Sequence, residues 1–410
     1  MAERIIFHID VNNAFLSWTA VKLLKNGYQA DIRKLPSIIC GDESKRHGIV
    51  LAKSPVAKKY NIVTAETIYQ AKKKCPNLQM FPPDYKWYKE KSTELFTYLS
   101  KYSPTIEVFS IDECFIDMTG TKYLYKDYLD LAYRIKDEIK NNFGYTVNIG
   151  IGNNKLCAKM ASDFEKPDKV HTLFKNEIKT KLWPLPVNDL LMVGQSTKTL
   201  LNKLNIYTIG QLANTNDKVL QHYFKNQATY LKNASWGIDT SEVCPRSDKT
   251  TSISISETLP HDCTNKDKLK EILLYFTEQI TMKLRQQHQY AKTVAIFYKN
   301  NNFEKYSSQA KLENASNNTK EIYKLVIEIF EKSYKDDPIR LIGLRLADLS
   351  STKEKQLTIF ENNTKQTENE ETFQKTIDAI NQKFGKAIVT PASLKIIGAK
   401  KKEDIINTNS

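Results

Sequence analysis

The chain has 410 residues, with 61 Lys and Arg against 47 Asp and Glu, a formal net charge of +14. That length allows two to four compact domains, and the excess of cations points to a polyanionic partner, nucleic acid first, or else to a Lys-rich solvated surface. No apolar run is long enough to span a bilayer, no basic flank leads into an apolar core at the N-terminus, and the six cysteines form no Cys-x-x-Cys pair. These features argue against a membrane protein, a secreted disulfide scaffold and a zinc finger, and the expectation is a cytoplasmic protein with buried free thiols.

Residues 5–9 read as a short buried strand ending in Asp10, and residues 15–24 have helical spacing. Residues 36–65 mix short apolar runs with polar turns, and Pro76, Pro82 and Pro83 punctuate the next stretch of chain. An amphipathic helix is expected over 85–102. Two strands around a tight turn at 110–113 come next, within 106–117, then a helix over 123–143, a strand over 145–151 and a helix over 155–164 that stops before Pro167. Across residues 1–12 and 84–174 this order predicts a ferredoxin-like α+β sheet with helices on one face. Residues 174–236 read as compact and helical, and 244–249 as a linker. Residues 250–350 are mixed, with strands expected at 251–255, 293–298 and 340–349 and helices at 268–288 and 319–333. The remainder is polar, with one late helix near 373–384, and is expected to be weakly ordered or tethered.

Asp10 ends the first strand, while Asp112 and Glu113 sit at the turn between the next two. If those strands are neighbours, the three carboxylates converge. Hard oxygen ligands suit Mg²⁺, which keeps waters and substrate phosphates in its shell. Two such ions can activate a primer 3′-hydroxyl and stabilise a pyrophosphate leaving group. Acids also end strands and fill turns for structural reasons alone, so their surroundings decide.

Three runs supply those surroundings: Phe7-His-Ile-Asp-Val-Asn-Asn-Ala-Phe15, Ser110-Ile-Asp-Glu113, and the stretch from Gly150-Ile-Gly to Ala161-Ser-Asp-Phe-Glu-Lys-Pro167. In this order and spacing the chain resembles the Y-family (translesion) DNA polymerases of the bacterial DNA polymerase IV kind, over roughly residues 4–350. The resemblance implies a right-hand α+β polymerase with a ferredoxin-like palm at 1–13 and 84–174, small fingers at 14–83 and a helical thumb at 175–240. A linker at 241–250, an additional α/β little finger at 251–350 and a polar tail at 351–410 complete it. The implied activity is low-fidelity, damage-tolerant addition of deoxynucleoside triphosphates to a primer on template DNA, by a monomer. The resemblance assigns Asp10, Asp112, Glu113 and the Val11 carbonyl to two Mg²⁺ ions. It makes Phe15 the aromatic gate beneath the sugar, a residue otherwise read as an ordinary core aromatic, and gives Lys166 a triphosphate contact.

The finger run departs from the commonest family pattern. Ala52-Lys-Ser-Pro-Val-Ala-Lys58 stands where many members have Ala-Asn-Tyr-x-Ala-Arg, so Pro55 replaces a hydroxyl-bearing ring and Lys58 a bidentate guanidinium. Lys53, Ser54 and Lys58 are the candidates to take over. Residues 190–212, with Gly194, Ser196 and Lys198, resemble a helix-hairpin-helix, which offers backbone N–H groups to a DNA phosphate without reading sequence. Met192 stands where Gly is often found, and Asn205 can take a left-handed cap. The little-finger strands and flanks carry Lys292, Lys299, Lys305, Arg340 and Arg345 for salt-sensitive phosphate contacts. Gln356-Leu-Thr-Ile-Phe360 resembles a sliding-clamp-binding peptide, with Gln356 as anchor and Leu357, Ile359 and Phe360 entering a groove. Two other readings stay open: a non-catalytic DNA- and clamp-binding relative, and a nucleotidyl cyclase on a similar palm. The cyclase has no use for Phe15, the hairpin or the basic C-terminal domain.

Overall fold

The computed structural model describes residues 4–42, 48–245, 250–352, 376–380, 383, 384 and 389, and the chain divides into two compact units, one of residues 1–41 and 49–247 and one of residues 42–48 and 248–410. The first unit opens with β1 (Ile6–Val11), α1 (Ala14–Lys25), β2 (Ser37–Cys40), β3 (Val50–Lys53), α2 (Pro55–Lys59), α3 (Ile68–Lys74) and β4 (Gln79–Phe81). It continues with α4 (Tyr85–Leu99), β5 (Ile106–Val108), β6 (Glu113–Asp117), α5 (Tyr128–Phe143), β7 (Val147–Gly152), α6 (Lys155–Asp163) and β8 (Val170–Leu173), and ends with α7 (Gln195–Lys203), α8 (Ile209–Asn214), α9 (Asp217–Phe224) and α10 (Ala228–Ser235).

Five strands form the main sheet in the order β5-β6-β1-β7-β8. The first four reproduce the ferredoxin-like order. β8, too short and too polar to stand out in the sequence, adds itself in parallel beside β7. Alternation along β1 sends Phe7, Ile9 and Val11 into a core shared with α1, α4 and α5. Local caps start the covering helices: Asp84 accepts from the Trp87 N–H and Asp127 from the N–H groups of Leu129 and Asp130.

The expectation of helices on one face is corrected by α6, which packs on the opposite face. His8 Nδ1 lies 2.8 Å from Ser162 Oγ there. Glycine makes the approach possible: a Cβ on Gly150 would meet the Ala158 carbonyl oxygen at 2.0 Å and the Ser162 nitrogen at 2.4 Å. Helix α6 is buried on two sides, since Ala158 joins Ile6 and Phe115 while Leu156, Cys157, Met160 and Ala161 join the core of the helical segment after it.

Strands β3-β2-β4 make a small sheet. Leu16 and Ala20 of α1 pack with Ile39 of this sheet, and α2 and α3 contribute Ala57, Ile68 and Ala71 to a core around Ile38 and Val50. In the helical segment Met192 takes φ 66° and Asn205 φ 59°. The tight turn therefore forms with Met192 in the left-handed region, and Asn205 takes the conformation expected of it.

The second unit holds β9 (Ser252–Cys263), α11 (Lys266–Gln286), β10 (Tyr290–Asn300), β11 (Lys305–Ser316), α12 (Thr319–Ser333) and β12 (Ile339–Ser350). The four strands pair antiparallel in the order β11-β10-β12-β9. Helices α11 and α12 share a core with Val294, Ile296, Ile342 and Leu344. The strands run longer than expected, and β11 is an addition to the expected set, because a polar edge strand lacks the apolar alternation that betrays its neighbours. Part of the tail is docked: residues 376–380 are helical, and Arg285 Nε donates to Asp378 Oδ2 at 2.6 Å. Five cysteines are buried, as expected, but Cys244 is exposed. Among the described residues no helix is long and apolar enough to cross a membrane.

Candidate active site

Asp10 and Glu113 are direct partners across β1 and β6, so their side chains leave the same face of the sheet. The Val11 N–H donates to the Asp112 carbonyl at 3.0 Å, tying the two strand ends together. Asp112 lies in the hairpin turn, where the Ser110 hydroxyl donates to its Oδ1 at 2.6 Å. Glu113 is the first residue of β6 rather than part of the turn. The three acids therefore converge as the sequence suggests, on the face covered by α6.

That helix brings cations. Lys159 Nζ lies 2.6 Å from Glu113 Oε2 and 3.3 Å from Asp10 Oδ2. Lys166 Nζ lies 3.1 Å from Asp10 Oδ2 and 2.8 Å from Asp163 Oδ1. His8, fully buried, approaches Glu113 Oε2 at 3.1 Å through Nε2. Burial alone would raise the Glu113 carboxyl, but the adjacent His8 ring and the hydrogen-bonded, charged Lys159 hold it down at about 2. Asp112 goes the other way. Burial raises it above the ordinary carboxylate value, and the charges of Asp10 and Glu113 add to this against the Ser110 hydrogen bond.

Among the described residues no group of three or more His, Cys, Asp and Glu is arranged to hold a metal ion by itself. An open set of carboxylates is the donor chemistry for Mg²⁺, whose shell keeps waters and substrate phosphates. The Asp112 carboxyl is raised by burial first and then by the charges of Asp10 and Glu113, and a nearby dication would favour its ionised form. The residues fit the ion.

The loop bearing Lys166 hangs on two asparagines. Asn12 Oδ1 accepts from the Asp168 N–H at 2.9 Å, and Asn12 Nδ2 donates to Asn148 Oδ1 at 3.0 Å. Asn148 Nδ2 in turn donates to the carbonyls of Ser162 and Glu165 at 2.9 and 2.6 Å. Phe15 is half-buried and lies flat on Tyr88, with ring centroids 4.5 Å apart and planes 9° apart.

In the small sheet, Lys53 ends β3 half-buried, and Lys58 is exposed on α2. Burial, and then the nearby charge of Lys58, lowers the Lys53 ammonium from its ordinary value. Ser54 is corrected as a phosphate contact: it is fully buried and caps α2, donating to the Leu35 carbonyl at 2.6 Å and accepting from the Ala57 N–H at 2.9 Å. Gly194 is the N-cap of α7, with Ser196 exposed and Lys198 partly so on its first turns.

Lys299 and Arg345 in the second unit stand on the face away from α11 and α12, across from Lys305 and Ser254. Lys292 and Arg340 fall at bulges instead, and Arg340 lies over the Phe303 ring at 4.9 Å. Gln356, Leu357, Ile359 and Phe360 lie outside the described residues.

Residues 9–163 match the impB/mucB/samB family, and residues 250–359 match the C-terminal domain of that family. The chain belongs to the impB/mucB/samB family. It is 44% identical to a DNA polymerase IV of Clostridium acetobutylicum, over 94% of this chain and 97% of that one. It is 34% identical to a DNA polymerase IV of Acetivibrio thermocellus, over 93% and 95%. A solved Y-family DNA polymerase chimera superimposes with a TM-score of 0.71 at 21% identity, covering 84% of this chain and 98% of that one, which supports the right-hand α+β fold. As a DNA polymerase IV-like member of the impB/mucB/samB family, the chain is a DNA-directed DNA polymerase of the translesion type. Its substrates are primer-template DNA and deoxynucleoside triphosphates, and its family works with divalent metal.

Several residues of this site were not singled out from sequence: His8, Asn12, Asn148 and Lys159. His8 carried a usable signal, since it lies two residues from Asp10 on a strand and so shares its face. Lys159 lies seven residues before Lys166, on the helix the sequence did predict.

Proposed function

We propose that Asp10, Asp112 and Glu113 form the nucleotidyl-transfer centre of this polymerase. The observation that carries the reading is the cross-strand placement of Asp10 against Glu113, with Asp112 tied to the next residue, Val11, by a backbone hydrogen bond. These carboxylates and the Val11 carbonyl would hold two Mg²⁺ ions, whose chemistry is to favour the primer alkoxide and neutralise the departing pyrophosphate. Ser110 orients Asp112, and His8 and Lys159 keep Glu113 ionised. Lys166 supplies a point charge for the triphosphate, and Phe15 closes the floor under the sugar. Lys53 and Lys58 take the place of the usual finger contacts, because an anion there would relieve the strain on the Lys53 ammonium.

The domain boundaries follow the elements. The palm is the main sheet with its helices (1–13 and 84–174), the fingers the small sheet (14–83), the thumb the helical segment (175–240) and the little finger residues 251–350. In the thumb, Gly194, Ser196 and Lys198 offer backbone and side-chain donors to a phosphate. Lys299 and Arg345 on the open little-finger face, with Lys292 and Arg340 at its bulges, make salt-sensitive contacts to duplex DNA. Gln356, Leu357, Ile359 and Phe360 recruit a sliding clamp to a monomeric, cytoplasmic enzyme. Replacing Phe360 by Ala should abolish clamp pull-down while basal extension persists; unchanged pull-down would remove the clamp from this account.

Primer extension with Mg²⁺ tests the centre. Wild type should extend a primed template, and Asp112→Ala and Glu113→Ala should each fall by a factor on the order of 10³ or more. Undiminished extension by both variants would refute the assignment.

A further inference from the structure

The turn between β10 and β11 holds a residue that the proposed duplex contacts do not use. Phe303 keeps 61% of its surface exposed and takes φ 65°, in the left-handed region that bulky side chains avoid. The turn imposes this conformation. Asn300 is buried and accepts at Oδ1 from the N–H groups of Asn302 and Glu304, both at 3.0 Å, while its carbonyl accepts from the Phe303 N–H at 3.1 Å. Asn300 Nδ2 donates to Glu304 Oε2 at 2.7 Å, and the Asn301 N–H donates to the Pro338 carbonyl at 3.0 Å. Glycine would take this φ freely, so a strained, exposed ring is held there at a cost, as happens where a side chain has a task.

Cations gather around that ring. Lys299 and Lys305 are direct partners across β10 and β11, a like-charge pairing that destabilises a sheet until an anion joins it. Arg340 is the extra residue of a bulge in β12, between Leu341 opposite Lys299 and Ile339 opposite Asn300. Bulges re-aim side chains. Here the Arg340 guanidinium lies 4.9 Å from the centre of the Phe303 ring and Lys299 Nζ lies 5.7 Å from it. The acid within the turn, Glu304, is already occupied by Asn300 and by the Tyr306 hydroxyl, which donates at 3.1 Å.

We propose that Phe303 is a stacking platform for an unpaired base of single-stranded DNA, with Lys299, Lys305 and Arg340 holding the flanking phosphates. An exposed aromatic ring among cations binds single strands without reading their sequence, because every base offers a flat face and every nucleotide a charge. A base within a duplex is stacked already and has no face to give to Phe303. This role rests on the reading of the open little-finger face as a DNA contact, and adds to it a base contact that paired DNA does not make.

The experiment measures the affinity of the full-length protein for a short dye-labelled oligodeoxynucleotide by fluorescence anisotropy, beside an abasic strand of the same length and a blunt duplex. Phe303→Ala should weaken binding of the single strand about fivefold or more, while binding of the abasic strand and of the duplex stays within about twofold of wild type. Its salt dependence should match wild type because no charge is lost, whereas Lys299→Ala should flatten the salt dependence on the duplex. An unaltered duplex slope in Lys299→Ala would overturn the reading of the face on which the platform rests. Phe303→Gly separates the ring from the fold. It should melt a few degrees above Phe303→Ala, since glycine takes the left-handed turn freely, yet bind the single strand as weakly. Undiminished single-strand affinity in Phe303→Ala, an equal loss on the abasic strand, or affinity that follows melting temperature across the two variants would overturn the platform while leaving the duplex contacts in place.

Discussion

Asn148 is fully buried and spends both ends of its amide on the loop that carries Lys166. Replacing it by Ala would strand the Ser162 and Glu165 carbonyls and the Asn12 amide in a dry interior, at about 3 kcal/mol of stability. The same change frees the Lys166 loop, so the KM for the incoming nucleotide should rise roughly tenfold, about 1.4 kcal/mol, while DNA affinity holds. Steady-state kinetics on Asn148→Ala, alongside its melting curve, check both halves; an unchanged KM would detach the loop from nucleotide binding. At this scale the sequence discloses acids more readily than their supports. Asp10, Asp112 and Glu113 stand out only when the motifs around them are read together. Asn148 and Tyr88 look like any buried polar residue and any aromatic until the chain is folded. Ser54 shows the converse, a plausible phosphate contact that the start of α2 claims as a cap.

Helix α6 is the element on which the centre depends, because it delivers Lys159 and Ser162 to β1 and β6. Its contact with β7 leaves no room for a methyl group at Gly150. Gly150→Ala should therefore displace the helix, cost about 3 kcal/mol or more, and lower extension together with stability. Gly120→Ala, where a Cβ would meet nothing within 4 Å, is the matched control and should melt like wild type. Equal melting temperatures for the two variants would contradict the close packing. The side on which α6 lies was not legible, since a helix buried on two faces lacks the single apolar stripe that would orient it. Strand β11 escaped for the related reason that both its faces are polar or half-exposed. Strands β1, β6 and β7 were legible because their apolar runs are short, dense and bounded by turns.

For the molecule as a whole, each unit carries its own core, and the net charge of +14 is balanced only in places. One such place is Glu138, held near about 2 by hydrogen bonds from Tyr98, then Tyr102, and by Lys101. A carboxylate whose folded value is depressed below its ordinary 4.5 stabilises the fold above that pH, and the contribution is lost as pH falls toward about 2. Glu113 acts with the same sign. The melting temperature should therefore drop between pH 4.5 and about 2, and Glu138→Gln should drop less steeply over the same window; parallel curves would show that the tyrosine pair does not stabilise the carboxylate. The mixed α+β character of the chain was legible from periodicity. The docking of Asp378 on Arg285 was not, because one ion pair within a polar tail leaves no pattern.

The most direct test of the account is the single-turnover rate of one nucleotide addition by Asp10→Asn on a preformed complex with primed DNA, with DNA affinity measured by fluorescence anisotropy. Asn preserves the shape and removes the charge that faces Lys159, Lys166 and the proposed ions. The account predicts wild-type DNA affinity and a rate lowered by a factor on the order of 10³ or more. A rate within about tenfold of wild type, at equal DNA affinity, would contradict it.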